Sequence, residues 1–421
     1  MAEVSTLGAL MALVIAIGLI LKRVPPAYGM LLGALIGALI GGASLTDSVA
    51  FMIGGAQGIV TAVMRILAAG VLAGVLIESG AATAIAETIV KTVGEARALL
   101  ALALASMILT AVGVFVDVAV ITVSPIALAI ARRTGLSKMS VLLAMVGGGK
   151  GGNIISPNPN TIAASEAFDV PLTSLMAAGV LPGLIGMFSA YLIAKTLANK
   201  GSQVAQQEVV QLEHGALPVF ATAIVAPLVA IALLALRPLA NVVIDPLLAL
   251  PLGGILGALA MGKARQLNQF AIAGLTRMAP VAIMLLGTGA LAGIIANSGL
   301  RTDLIALLEA TGMPEYLLAP ISGAVMSLAT ASTTAGTVVA SNVFAGTLLE
   351  VGISALAGAA MLHAGATVLD HMPHGSFFHA TGGSVHMDIK ERLRLIPYES
   401  AVGLVIASMA TVLYGVFGLL G

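Results

Sequence analysis

Gly147 to Thr161 reads GGGKGGNIISPNPNT, a run of glycines, amides and prolines set inside a long apolar region. A second run of the same character, His363 to Thr381, reads HAGATVLDHMPHGSFFHAT. Lipid cannot satisfy the N–H and C=O groups that such irregular backbone frees. At membrane depth it survives only when packed inside protein or lining a watery cavity. Interrupted apolar segments in corresponding places of two halves point to the binding site of a transporter.

The surrounding composition agrees. The chain has 421 residues, 59% hydrophobic and 9% charged, with a mean hydropathy of +1.09. An ordinary soluble domain is about 25% charged. Stretches free of formal charge run from Val24 to Thr46, Ala98 to Val116, Pro246 to Gly262, Tyr316 to Leu349 and Ser400 to Gly421. A bilayer core needs roughly 20 apolar residues per helix, so each is a candidate span. The 49 glycines fit a close-packed helical bundle, because small residues let membrane helices approach. With no cysteine, neither a disulfide framework nor thiol chemistry is available. A formal net charge of zero gives no sign of nucleic-acid binding or a polybasic anchor. The first apolar segment, Leu7 to Leu21, ends in Lys22-Arg23 and reads as a retained helix rather than a cleaved signal.

Polar breaks recur through the chain, and the longest, around NKGSQVAQQEVVQLEHG, reads as a cytoplasmic linker over 200–216. It divides a first repeat, 1–199, from a second, 217–421. Gly70 to Gly80 (GVLAGVLIESG) and Gly289 to Gly299 (GALAGIIANSG) share one small-residue pattern, which suggests an internal duplication. Pro159 then falls opposite Pro373. Loops at corresponding places carry opposite bias in Lys and Arg: Arg132, Arg133 and Lys138 against the bare Glu350 loop, and Lys263 with Arg265 against the bare 43–48 loop. Since Lys and Arg favour the cytoplasmic side, the halves are expected to be inverted. The expected fold is an all-α polytopic membrane protein of two inverted-topology repeats with discontinuous helices. It has about 12–14 membrane segments, seven per half with both termini outside, some of which can be re-entrant hairpins.

Within the first broken segment, Pro157 and Pro159 disfavour helix at Ser156 and Asn158 and leave nearby carbonyls free. A half-helix starting after Asn160 would offer an anion site at its N-terminus, capped by Asn160 or Thr161, with the glycines letting backbone approach a ligand. In the second, Asp370, His371 and His374 form a titratable group suited to proton movement. His363 and His379 are equally well read as loop hydrogen-bonders, and His214 and His386 take no role. No HExxH stands behind these histidines, so no metal is expected. Leu328 to Thr337 (LATASTTAGT) supplies hydroxyls that can replace water around a substrate or Na⁺, or simply bond back within their helix. Asp117, isolated between apolar segments, needs a cation, with Arg65 and Lys150 the candidates.

At these same residues the chain resembles the gluconate:proton symporter (GntP-type) family, a branch of the ion transporter superfamily. The resemblance covers nearly the full length and is carried by chain size, the two apolar halves, PNPNT before an apolar helix from Leu172, and HMPHGSFF. Family members tend to place a His between the two prolines with Gly-Pro after; here Pro157-Asn158-Pro159-Asn160-Thr161 stands instead. The resemblance implies proton-coupled uptake of a sugar acid or small hydroxycarboxylate across the bacterial inner membrane. It further implies a pseudosymmetric fold with discontinuous helices, commonly a homodimer, and an elevator motion.

The expected ligand set is thus Asn153, Ser156, Asn158, Asn160, Thr161, Ser332, Thr333, Thr334, His371 and His374. Proton coupling falls to Asp370 with His371 or His374, and secondarily to Asp117. No cofactor is expected; the partners are a small carboxylate, protons and membrane lipid, and nucleic acid is not among them. A Na⁺-coupled carrier or a cation/proton antiporter would use the same broken helices. An intramembrane enzyme would have to pair Ser156 or Ser376 with His371. GGKGG at 148–152 lacks the spacing and hydroxyl of a nucleotide loop, which argues against direct ATP drive.

Overall fold

The computed structural model describes residues 4–208 and 217–420, apart from the side chains of 304, 308 and 309. The first part of the chain runs α1 (Thr6–Leu21), α2 (Pro26–Ile40), α3 (Leu45–Gly58), α4 (Val60–Glu78), α5 (Ala81–Val93) and α6 (Ala98–Ala111). It continues through α7 (Val116–Thr134), α8 (Lys138–Asn153), α9 (Pro159–Ala167) and α10 (Leu172–Thr196). The second part opens with α11 (Phe220–Ala223), α12 (Val225–Ala240), α13 (Pro246–Ala260), α14 (Leu267–Ala296) and α15 (Leu300–Thr311). It closes with α16 (Leu318–Thr330), α17 (Thr333–Glu350), α18 (Ala355–Gly365), α19 (Ser376–Ser384) and α20 (Ile389–Ala410). Among the described residues there is no strand, only isolated bridges such as Ser137 to Gln203.

Helix starts are set by local chemistry. Side-chain oxygens of Ser5, Ser44, Ser137, Asp245, Ser354 and Asp388 accept from first-turn N–H groups, and Pro26, Pro159 and Pro246 open helices where their missing N–H costs nothing. Among the described residues five helices are long and apolar enough to cross a bilayer: Val60–Glu78, Leu172–Thr196, Phe220–Ala240, Ala264–Ala296 and Ile389–Val416. Ala81–Val93 and Glu95–Ala111 would together make a sixth but bend by 96° at their junction. The other apolar stretches are shorter pieces interrupted by polar breaks, so the apolar segments counted from hydropathy do not each correspond to one full-length helix.

The sequence halves are not separate globules. α1 to α4 pack with α12, α13 and α14, while α5 to α10 pack with α16 to α20, so each layer takes helices from both halves; α15 lies between the layers, touching α1, α14 and α17. Small residues set the closest approaches: Gly33 and Gly37 of α2 lie on Ala12 and Ala16 of α1, and Gly70 and Gly74 of α4 lie on Phe270 and Gly274 of α14. In the second layer α8 is buried along its whole length, from Lys138 to Asn153. α8 and α9 form one helix broken at 154–158, and α18 and α19 another broken at 366–375; α9 then packs on α17, and α19 on α7. The starts of α8, α9 and α10 at 138, 159 and 172 are matched by those of α18, α19 and α20 at 355, 376 and 389, each 217 residues later. By that register Asn158 stands opposite Gly375, not Pro159 opposite Pro373. Of the expected linker, 200–208 lies against the second layer, with Lys138 Nζ 2.7 Å from Glu208 Oε1; 209–216, with His214, fall outside the described residues.

The glycine run behaves differently from expectation. α8 continues through Gly147–Gly152 and breaks only after Asn153. A methyl at Gly148 or Gly152 would strike the carbonyl oxygens of Ala103 and Met107, and one at Gly151 that of Gly183. These glycines bring α6 and α10 against α8, not backbone against a ligand; close helix packing overrides their poor helix propensity.

Candidate functional site

Four interruptions meet inside the second layer. Two are the bends of the broken helices, 154–158 and 366–375, and two are breaks between consecutive helices, 112–115 between α6 and α7 and 331–332 between α16 and α17. Gly113 (φ +107°) turns the third break and Ala331 (φ +47°) the fourth. Gly375 sits so close to Ala331 that a side chain there would meet its carbonyl, which sets the end of the 366–375 bend against the α16–α17 break.

Between them lies a cavity of about 390 Å³. Asn153, Asn160, Ser332, Thr333, Thr334, Asp370 and Asp117 line it, so seven of the expected residues from four separate stretches are brought together. Arg277 of α14, with Ser376 and Phe377 at the start of α19, complete the polar wall, and none of the three was expected as a ligand. Arg277 carries the only formal positive charge on this wall; it pairs with Glu78 at 2.8 Å, half exposed. A second, apolar crevice of about 1070 Å³ adjoins it, sharing Val281, Ala331, Ser332, Thr334 and Ser376.

Other expected ligands lie elsewhere. Asn158 is the N-cap of α9, a role expected of Asn160 or Thr161. Its Oδ1 accepts from the backbone N–H of Asn160 (2.9 Å) and Thr161 (3.1 Å) and from the Thr161 hydroxyl (3.3 Å), while its Nδ2 donates to Asn153 O (2.8 Å) and Oδ1 (2.6 Å). The α9 N-terminus is therefore closed by its own chain, and Asn158 and Thr161 have little left to offer a ligand. Asn160 keeps a buried Oδ1 with no partner, on a residue of the cavity wall. Ser156 Oγ is likewise buried and unpartnered but does not line the cavity. At the matching bend Gly375 occupies the N-cap of α19 and no side chain caps it.

His374 is exposed and stands apart from Asp370 and His371; His379 Nε2 donates to Pro373 O at 2.8 Å, and His363 is buried in α18. Asp117 pairs with neither expected cation. Its Oδ1 accepts from Val118 N at 2.9 Å; Arg65 is held by Glu166 and Asp245, and Lys150 by Asp370.

Behind the cavity wall lies a buried charge network. Lys150 Nζ donates to Thr367 O (2.6 Å) and Asp370 Oδ1 (2.6 Å) and reaches His371 Nδ1 (3.0 Å). Asp370 Oδ2 accepts from Thr333 at 2.5 Å. His371 Nε2 lies 3.1 Å from both Ile396 O and Ser400 Oγ. Glu399 Oε2, 3.9 Å from His371 Nδ1, belongs to a bidentate pair with Arg392 (2.6 and 3.1 Å), whose guanidinium also stacks on Phe378. A carbonyl can only accept, so Nε2 of a neutral His371 carries the hydrogen and Nδ1 is the acceptor for Lys150. Nδ1 then faces Asp370 Oδ1 at 3.0 Å, lone pair against lone pair. A proton arriving at Nδ1 would exchange the lysine bond for a bond to Asp370. Because Nε2 is already engaged by Ile396 O and Ser400, the nucleophile–base pairing of His371 with Ser156 or Ser376 is not formed.

Sequence reading missed Arg277, Arg392, Glu399 and Ser400. Arg392 and Glu399 lie seven residues apart on α20. The spacing of two turns, which puts both on one face of a helix, was the available signal.

The family model for GntP family permeases matches residues 4–417. An uncharacterized transporter of Haemophilus influenzae is 71% identical over 417 residues, covering 99% of this chain and 100% of that protein. A gluconate permease of Pseudomonas aeruginosa is 24% identical over 399 residues, covering 87% of this chain and 88% of its own length. Among solved structures, the YdaH transporter of Alcanivorax borkumensis, described as having an unusual topology, superposes with a TM-score of 0.63 at 16% identity. That match covers 87% of this chain and 88% of the other.

Proposed function

The chain belongs to the GntP family of permeases and is a multi-pass transporter rather than an enzyme, and from that premise we propose that it carries a small organic anion inward together with a proton. The favoured substrates are sugar acids such as gluconate and short hydroxycarboxylates, and the favoured location is a bacterial inner membrane. Arg277 and the uncapped N-terminus of α19 suit a carboxylate. Asn153, Asn160 and the Ser332–Thr334 hydroxyls suit its hydroxyl groups. In this reading the halves 1–199 and 217–421 are inverted repeats, as the 217-residue recurrence of helix starts supports. The layer holding both broken helices moves against the layer of α1–α4 and α12–α14 in an elevator motion, within a homodimer.

The observation that carries the proposal is the position of Asp370, which lies both in the cavity wall and in the buried charge network. Lys150 and Arg392 balance Asp370 and Glu399, so the network is neutral while His371 is neutral. Protonation at Nδ1 adds one uncompensated positive charge in a dry setting, which costs dearly unless an anion sits close by. An anionic substrate beside Asp370 supplies that compensation. Proton and anion each make the other's binding less costly, the reciprocal coupling a symporter needs.

The test is uptake of labelled gluconate and a panel of hydroxycarboxylates into proteoliposomes, under an imposed pH gradient and then an imposed Na⁺ gradient. Accumulation driven by inward protons and lost in Arg277→Gln or His371→Ala is the expected result. Exchange of cations for protons without movement of any organic acid would overturn it.

A further inference from the structure

Lys150 uses all three ammonium hydrogens inside the protein: two go to oxygens at 2.6 Å, Thr367 O and Asp370 Oδ1, and one to His371 Nδ1 at 3.0 Å. The side chain is 1% exposed. The oxygen ligands come from the bend of the other broken helix. Thr367 O lies just past the end of α18, where the helix dipole favours positive charge, and the Asp370 carboxylate lies three residues on. Lys150 and Thr367 occupy matching places of the two broken helices, 217 residues apart, so only one of them brings a cation and the other provides its oxygens. A backbone carbonyl, a carboxylate and a helix C-terminus are what a small hard cation would also require.

We infer that the Lys150 ammonium is a resident cation. It fills a monovalent-cation site built from Thr367 O and Asp370 Oδ1 and so keeps Na⁺ out of the transport cycle. This rests on the reading of the chain as an ion-coupled carrier, and it deepens that reading by assigning to one side chain the choice of proton over Na⁺. Removing the ammonium leaves Arg392 alone against Asp370 and Glu399, a buried net negative charge that must recruit a proton or an ion.

The first measurement is thermal unfolding of the purified full-length protein in detergent at fixed pH, in choline chloride progressively replaced by NaCl or LiCl at constant ionic strength. Wild type and Lys150→Arg should show no Na⁺-specific change. Lys150→Ala should show a saturable rise in Tm with Na⁺ or Li⁺, as binding to the folded state alone requires. That rise should vanish in Lys150→Ala/Asp370→Asn, where the carboxylate charge is gone. Equal Tm values for Lys150→Ala in Na⁺ and choline would overturn the inference, as would a Na⁺-specific rise in wild type. The wild-type arm decides even if the alanine variant does not fold. Because none of these melts requires transport, failure of the carboxylate-carrier reading would show separately, as absence of organic-acid uptake by wild type.

Discussion

Lys150 Nζ lies 2.6 Å from Asp370 Oδ1, an ion pair between residues 220 positions apart that ties α8 to the 366–375 bend with both side chains buried. Asp370 also receives the Thr333 hydroxyl, so this one carboxylate joins both broken helices and the α16–α17 break. Replacing one partner of a buried pair leaves the other uncompensated. Asp370→Asn should therefore lower stability by about 3–5 kcal/mol, whereas Thr333→Val, which removes a single hydrogen bond to a charged group, should cost about 1.5–3 kcal/mol. Denaturant or thermal unfolding in detergent reads the ranking; Asp370→Asn matching wild type would mean that the pair does not hold the two broken helices together.

Arg277 stands on the cavity wall, and its ion pair with Glu78 is solvent-accessible, with side chains 39% and 31% exposed. Such pairs contribute little to folding, about 0–1 kcal/mol. A charged hydrogen bond to a substrate carboxylate is worth about 1.5–3 kcal/mol. Arg277→Gln should consequently raise KM for the transported acid about 10- to 100-fold while Tm barely moves. A large fall in Tm with unchanged KM would place Arg277 in the scaffold and not in the site.

Much of the fold was legible because it follows from two robust signals. Uncharged apolar windows gave the membrane class, and Pro-Asn-Pro and Pro-His-Gly marked the places where helices had to break. The site was half legible. Asn153, Asn160, the Ser332–Thr334 hydroxyls and Asp370 were readable because polar groups at membrane depth need a reason. Arg277 was not, since a lone arginine in a long apolar helix says nothing of what it faces until α14 is placed against the second layer. Asn158 shows a different limit: a capping amide and a ligand amide look identical in sequence, and only the position of the helix start separates them. The pairing of Lys150 with Asp370 rather than Asp117 depends on contacts 220 residues apart, for which no local pattern exists.

The glycines of α8 divide sharply from those of α3. A methyl at Gly152 would overlap the Met107 carbonyl and the Thr110 hydroxyl, neither of which can retreat from a close-packed helix; one at Gly54 meets nothing within 4 Å. Gly152→Ala should destabilise by about 1–3 kcal/mol through overpacking, and Gly54→Ala should be neutral or stabilise by about 0.5–1 kcal/mol through reduced backbone freedom. Melting temperatures of the two variants, side by side, test the α6–α8 contact directly.

Outside the membrane-spanning helices, Glu208 anchors the polar connection to the second layer through Lys138. Partial burial pushes its carboxyl up, but the bond from the Lys138 ammonium and the Ala205 N–H outweigh this and hold it below the ordinary glutamate range. A carboxyl depressed in the folded state stabilises that state above its unfolded pKa, and the contribution is lost as pH falls through the folded value. The connection should therefore stay docked at neutral pH and loosen only in acid, below the ordinary glutamate range. Limited proteolysis between 195 and 217 as a function of pH should show that acid step in wild type and its absence in Glu208→Gln, which should already be susceptible at pH 7.

Asn158 and Asn160 give the sharpest separation of structure from recognition, being neighbours with opposite environments. The Asn158 side chain makes five hydrogen bonds within the bend, two from the backbone N–H groups at the start of α9. Asn160 is equally buried but has an unpartnered oxygen on the cavity wall. Asn158→Ala should cost about 0.5–2 kcal/mol for the cap alone and more for the orphaned Asn153, lowering Tm and the amount of active protein. Asn160→Ala removes no intramolecular bond of that oxygen, so Tm should hold while KM rises about 5- to 10-fold, as loss of one neutral hydrogen bond to substrate predicts. If instead Asn158→Ala keeps its Tm and loses substrate affinity, the bend at 154–158 is a ligand-binding surface and not a cap, and the carboxylate belongs at α9 rather than α19.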